Sequence, residues 1–271
     1  MYVIAGNYYS KGIVGDDAST LSQYWELGWE CGVSNVYIKH YLDIGRISKK
    51  DTVVTRNSRE FFYSSVFDNV IDWETYQKIK TDSDKVISIP DELDITNLLN
   101  YDYAGVNIDL VCDFDLDPNI ENKYNIDSEF VIICVRLRDH GAYRNTDINV
   151  AIKLIEYLKS EGYKVFIVGH GSKFLESQYK VRYLDLLDYA SLTNSRYCKL
   201  CVSTLSGIIH LPCFTGHKNL NAFVLDHYGE RNQNNHPIYM GDNINYKNIK
   251  TKFINGPENF EVIKSLFDQI R

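Results

Sequence analysis

Two periods of apolar residues organise this chain. In its second half, Phe130-Val-Ile-Ile-Cys-Val-Arg136 is a nearly unbroken apolar run rich in β-branched residues, which predicts a central parallel strand covered on both faces. A polar loop follows from Arg136 to Asn145. From about Thr146 the period changes, with Ile148, Ile152, Ile155 and Leu158 recurring at helical spacing and Gly162 marking the stop. Lys164-Val-Phe-Ile-Val-Gly169 reads as the next strand. A second amphipathic helix is predicted over about 184 to 196, then a strand at Leu200-Cys-Val-Ser203, a Ser-Gly turn opening another helix, and a strand at Ala222-Phe-Val-Leu225. Strand and helix alternate with short connections, so the expected architecture is a doubly wound parallel sheet whose ligands lie at the carboxyl ends of its strands.

The first half repeats the plan on a smaller scale. Strands are expected at Tyr2 to Ala5, Val36 to Lys39, Thr52 to Thr55 and Val86 to Ile89, with helices around Ser19 to Cys31 and Arg59 to Ser65. Residues 91 to 128 are rich in Asp and Asn and include Asp117-Pro118, which places the connection between two domains in that stretch, 1–125 and 126–271. The final helix is predicted from about Pro257 to Ile270, where it could cross back onto the first domain.

Composition narrows the classes. A chain of 271 residues with 44% hydrophobic and 24% charged residues is an ordinary globular protein, not a disordered or fibrous one. No apolar run approaches the roughly 20 residues of a membrane span, and the first residues lack a signal peptide's basic start, so a soluble, cytoplasmic protein is expected. The net charge of −7 argues against a general nucleic-acid binder, which depends on Lys and Arg neutralising phosphates. Cys134 and Cys201 fall inside apolar strand-like runs, where a reduced, buried thiol is expected. Cys198, Cys201, His210 and Cys213 can be written as a zinc set, but one that crosses a strand and a helix instead of closing a loop, and no metal site is expected. Asp113 and Asp115 read as part of a solvated acidic stretch.

The run Cys201-Val-Ser-Thr-Leu-Ser-Gly-Ile-Ile-His-Leu-Pro212 carries the strongest chemical signal. A helix start presents unpaired N–H groups and the positive end of its dipole, and a Ser-Gly turn lets backbone approach a phosphate. Ser206 and Gly207, with the Ser203 or Thr204 hydroxyl, are the expected cradle. Arg136, Arg138 and Arg144 cluster after a strand end, where a guanidinium can bind phosphate through two parallel bonds or can pair with Asp139 or Asp147. His210 lies four residues after Ser206, on the same helical face, where it either contacts the ligand or bonds a backbone carbonyl. Gly169-His170-Gly171 either permits close approach to a nucleoside or forms a plain turn.

Residues 130 to 216 resemble the carboxyl-terminal domain of the heptosyltransferase-like glycosyltransferases, family 9 of the sugar transferases. The strand ending at Val135-Arg136, the loop with Arg138 and Arg144, and the segment Ser160-Glu-Gly-Tyr-Lys-Val-Phe-Ile-Val-Gly169 look like that family's first β-α-β unit. Asp185-Leu-Leu-Asp-Tyr-Ala190 looks like the helix before its next strand, and Ser206-Gly207-x-x-His210-Leu211 resembles its Ser-Gly-Pro-x-His-Leu signature, with Ile208 in place of the proline. Gly15-Asp16 resembles the early turn that supplies the family's catalytic carboxylate. The resemblance implies a GT-B-like fold of two Rossmann-like domains facing a cleft, the first one small. It also implies an inverting, metal-independent glycosyltransferase with no cofactor beyond its nucleotide-diphosphate sugar donor, acting on a glycan or other hydroxyl-bearing acceptor. In that reading Asp16 is the base, with Asp17 as its neighbouring alternative. A DNA-modifying sugar transferase, a nucleotide-sugar epimerase and a non-catalytic binding module are the competing readings.

Overall fold

A computed structural model describes residues 1–5, 34–89, 113–138, 145–204, 206–226 and 249–271. The chain divides into two compact units, Met1–Leu116 and Asp117–Arg271.

In the first unit, β1 (Tyr2–Ala5), β2 (Thr52–Thr55), β3 (Asn69–Asp72) and β4 (Val86–Ile89) form a parallel sheet in the order β3-β2-β1-β4. The expected strand at 36–39 instead lies inside helix α1 (Asn35–Asp43). Tyr37, Ile38 and Tyr41 are buried together, a spacing that fits one helical face, so tertiary packing overrides the β propensity of the local sequence. The helix expected over 59–65 is only a 3-10 turn, Glu60–Phe62. Two hydroxyls just beyond that turn tie down the Asp113-Phe-Asp115 segment: Ser64 Oγ donates to Asp115 Oδ2 at 3.0 Å and Ser65 Oγ to the Asp113 carbonyl. Helix α2 (Trp73–Ile79) starts at Asp72, whose carboxylate accepts from Thr75 N at 2.8 Å and Thr75 Oγ1 at 2.9 Å. Those bonds hold the Asp72 carboxyl below its usual range.

The second unit begins with α3 (Ile120–Lys123) and continues as β5 (Phe130–Cys134), α4 (Ile148–Ser160), β6 (Lys164–Val168), α5 (Phe174–Tyr179), β7 (Arg182–Tyr183), α6 (Leu186–Asn194), β8 (Cys198–Thr204), α7 (His210–Thr215), β9 (Asn221–Asp226), β10 (Lys250–Asn255) and α8 (Phe260–Ile270). All pairings are parallel, in the order β10-β9-β8-β5-β6-β7. The chain enters this sheet at the centre, runs to one edge, returns and runs to the other, as in a doubly wound dinucleotide fold. Every residue of β5 is buried, as its unbroken apolar run predicts.

Helix α4 shows how local sequence sets these boundaries. Asp147 caps it, its Oδ1 accepting from Asn149 N at 2.9 Å and Val150 N at 3.4 Å. Gly162, at φ 87°, ends it with paired return bonds, Tyr163 N to Leu158 O at 3.0 Å and Gly162 N to Lys159 O at 3.1 Å. Ala151, Leu154, Ile155 and Leu158 face the sheet and pack with Val131, Ile133, Val135 and, from α8, Ile263 and Phe267. The opposite face is covered by α6 and α7, which are joined by the buried Thr193–Thr215 hydroxyl pair at 2.7 Å. Helix α8 therefore belongs to the second unit's own core. Among the described residues no helix is long and apolar enough to cross a membrane.

Candidate functional site

In an open α/β sheet the ligand crevice opens where the strand order reverses, outside the carboxyl ends of the two strands that flank the reversal. Here those strands are β5 and β8. Beyond β5 the chain runs Val135 to Arg138, and beyond β8 it enters the Ser-Gly turn. Cys134 is in register with both Ser203 of β8 and Val168 of β6, so the residues that follow all three strands emerge side by side.

Asn145 organises the arginine segment. Its side-chain oxygen accepts from Arg136 Nη1 at 2.7 Å and Arg138 N at 2.9 Å, while its Nδ2 donates to the Arg138 carbonyl at 2.9 Å. Thr146 adds a reciprocal pair, Arg136 N to Thr146 Oγ1 at 3.0 Å and Thr146 N to Arg136 O at 2.9 Å. Arg136 is thereby buried with its guanidinium on Asn145, whereas the Arg138 side chain is exposed on a fixed backbone. Arg144, Asp139, Asp16 and Asp17 lie outside the described residues, as does the expected helix over 19–31.

The strand extension after β5 continues to pair with β6. Val135 N donates to Val168 O at 2.8 Å and Leu137 N to His170 O at 2.9 Å. Gly169, at φ 120°, sits so close that a Cβ would fall 2.1 Å from the Val135 carbonyl oxygen, and one at Gly171 would fall 2.8 Å from that of Leu137. Of the two roles open to these glycines, the close backbone approach is real, but it is made to the neighbouring strand. His170, between them, is exposed.

After β8, Ser206 adopts extended backbone and opens the 3-10 turn Gly207–Ile209, which leads into α7. Ser206 O accepts from Ile209 N at 3.1 Å, and the Ser206 side chain makes no bond to the turn it starts. Tyr189 of α6 fixes this turn to the central strand. Its hydroxyl donates to Ile208 O at 3.4 Å and accepts from Cys134 Sγ at 3.3 Å, and burial keeps the phenol protonated by raising its pKa far above the usual value. Ser203 turns inward, its Oγ donating to Thr204 O at 2.8 Å. The Thr204 hydroxyl is buried with no hydrogen-bond partner among the described residues, a condition that typically costs about 1–3 kcal/mol.

His210 is 6% exposed, and burial pulls its imidazole down to about 4, so it is neutral at pH 7. The folded state then binds fewer protons than the unfolded chain between about 4 and 6.5. Stability from the neutral ring is fully present above 6.5 and is lost as pH falls toward 4, by about 3 kcal/mol across the window. Urea titrations at pH 7 and pH 4.5 should show His210→Gln losing less stability on acidification than the parent. Equal losses would remove His210 from the acid response.

Cys134, Cys198, Cys201 and Cys213 are free, buried thiols; desolvation raises Cys134, Cys201 and Cys213, which suits packing and not reactivity. Among the described residues no three His, Cys, Asp or Glu side chains gather as a metal site would require.

Of the residues singled out in the sequence, Arg136, Arg138, Gly169, His170, Ser203, Thr204, Ser206, Gly207 and His210 all lie on or just beyond the carboxyl ends of β5, β6 and β8. Asn145 and Tyr189, which position the two sides of the crevice, are what the structure adds to that set. The signal available for Tyr189 was a phenol embedded in a buried helix face; for Asn145 it was an amide closing the arginine loop.

No protein-family model matches the chain, and no curated protein matches its sequence. Solved structures do match. The E. coli ADP-heptose LPS heptosyltransferase II superposes with a TM-score of 0.54 at 13% identity, over 99% of this chain and 98% of that one. The E. coli heptosyltransferase WaaC with ADP superposes with a TM-score of 0.50 at 11% identity, over 100% of both chains. The chain has the fold of these heptosyltransferases.

Proposed function

We propose that this protein is an inverting, metal-independent glycosyltransferase that binds a nucleotide-diphosphate sugar at the β5/β8 switch point and transfers the sugar to an acceptor hydroxyl. The observation that carries the reading is the placement of the Ser-Gly turn and the arginine segment at the two strand ends where a doubly wound sheet holds its ligand. The shared fold of two heptosyltransferases supports it, one of them solved with ADP.

In this reading the backbone N–H groups of Gly207 and Ile208 and the Ser206 hydroxyl hold the diphosphate, and the guanidinium groups of Arg138 and Arg144 pair with it. Thr204, whose buried hydroxyl has no hydrogen-bond partner among the described residues, is the further candidate to bond the ligand. The acceptor oxygen attacks the anomeric carbon and its proton passes to the Asp16 carboxylate. The bond from that carbon to the diphosphate breaks, and the leaving group keeps the electron pair. Helix N–H groups and guanidinium charge stabilise the developing negative charge.

A thermal-shift screen against UDP, GDP, ADP, CMP, dTDP and their common sugar conjugates, all in EDTA, tests the reading. One nucleotide diphosphate should raise stability by about 2.7 kcal/mol when present at 100 times its dissociation constant. No shift with any of them at millimolar concentration would overturn it.

A further inference from the structure

A cavity lies at the opposite end of the same sheet from the β5/β8 switch point. It has a volume of about 390 Å³, lies at the amino-terminal ends of β6 and β7, and is lined by Lys123, Lys159, Lys164, Lys180 and Arg182 around the ring of Tyr124. On a chain of net charge −7, five cations around one cavity are a local reversal of sign. Among the described residues two of the five have a carboxylate partner. Lys123 pairs with Asp188 at 2.5 Å and Lys164 with Asp127 at 3.1 Å. Lys159 Nζ donates to the Tyr179 carbonyl at 2.7 Å, which leaves it two further donors, and Arg182 lies 5.6 Å from the centre of the Tyr124 ring. Lys180 makes no ion pair among the described residues. Among the described residues Lys159, Lys180 and Arg182 thus make no ion pair, and they border a space large enough for a small ligand, with Asp185 the further carboxylate that acts on Lys123 and Tyr124.

The backbone provides an independent sign. Lys180 terminates α5 in the left-handed conformation, φ 52° and ψ 44°, a position where glycine is the favoured residue because a Cβ is strained there. A lysine held in that conformation at the rim of a cationic cavity points to a role for its side chain, since strain of this kind concentrates at binding sites.

We infer that this cavity binds a polyphosphate chain, inorganic or carried by a nucleotide, at a site separate from the β5/β8 crevice. Lysine and arginine donors match phosphate oxygens, and three cations that make no ion pair among the described residues suit a multiply charged anion better than a single carboxylate. The site does not depend on the proposed sugar transfer.

Calorimetric titration at low salt, where exposed charges are least screened, tests the inference. The probes are inorganic tripolyphosphate and ATP, used on protein carrying Arg144→Ala and Ser206→Ala so that the proposed donor crevice does not contribute. Tripolyphosphate should bind, and adding Lys180→Gly with Arg182→Ala should weaken it at least tenfold. The single Lys180→Gly change should at the same time raise the melting temperature of the unliganded protein, because glycine relieves the strained turn. A loss of affinity without a loss of fold separates binding from stability. Tighter binding of ATP than of tripolyphosphate would assign the nucleotide form of the ligand, and equal binding the bare chain. Absence of binding by both probes, or equal affinity with and without the Lys180 and Arg182 changes, would overturn the inference.

Discussion

Gly169→Ala is expected to cost at least about 3 kcal/mol of folding stability. Two terms act together. A φ of 120° belongs to a region that residues with a Cβ rarely enter, at roughly 1–3 kcal/mol, and the added carbon would meet the Val135 carbonyl at 2.1 Å. That oxygen belongs to backbone, so the strand itself must move. The paired extension of β5 and β6, which presents Arg136 and Arg138, would move with it. Urea unfolding followed by circular dichroism measures the loss. Gly162→Ala is the control, since its positive φ of 87° is strained but a Cβ there meets nothing within 4 Å. Equal costs at the two positions would show that conformation alone, and not the close approach to β5, makes Gly169 necessary.

The second large effect concerns chemistry. Asp16→Asn should lower the turnover number by about 10²- to 10⁴-fold, the usual contribution of a general base, while leaving affinity for the nucleotide diphosphate unchanged. The substitution keeps shape and removes the proton acceptor. Single-turnover transfer measured beside calorimetric donor binding resolves the two quantities. Full transfer activity in Asp16→Asn would take Asp16 out of the mechanism and turn attention to Asp17, its neighbour in sequence.

Most of the second unit could be read from the chain because its central elements are self-declaring. β5 is apolar at every position, α4 carries a capping Asp147, a helical stripe and a terminating Gly162, and β6 repeats the apolar pattern. The elements that the sequence does not declare lie at edges or have a polar side. β10 alternates exposed and partly buried residues over most of its length, β7 has two residues, and β3 begins at exposed Asn69. Their strand character comes from a neighbour's hydrogen bonds more than from their own side chains. The segment at 36–39 misled for the converse reason: Val-Tyr-Ile favours a strand locally, but the burial of Tyr41 with Tyr37 and Ile38 selects a helix.

The candidate site divides along the same line. The Ser-Gly turn and the arginine segment are visible because each is local. The contacts that fix them are not. Tyr189 reaches 55 residues back to Cys134 and 19 forward to Ile208, and no local pattern encodes those distances. Gly169 shows a further limit, since its sequence context announces a close approach without naming what approaches. Packing supplies the answer, the β5 backbone.

The most direct test of the central claim is calorimetric titration, in EDTA, of the stabilising nucleotide diphosphate into the parent protein and into the variant carrying both Arg144→Ala and Ser206→Ala. Each side chain is assigned a charge-assisted hydrogen bond to the diphosphate, at roughly 1.5–3 kcal/mol apiece, so the account predicts at least about 100-fold weaker binding by the variant with an unchanged melting temperature in the absence of ligand. Equal affinity in the two proteins would place the nucleotide elsewhere and contradict the assignment of the β5/β8 crevice.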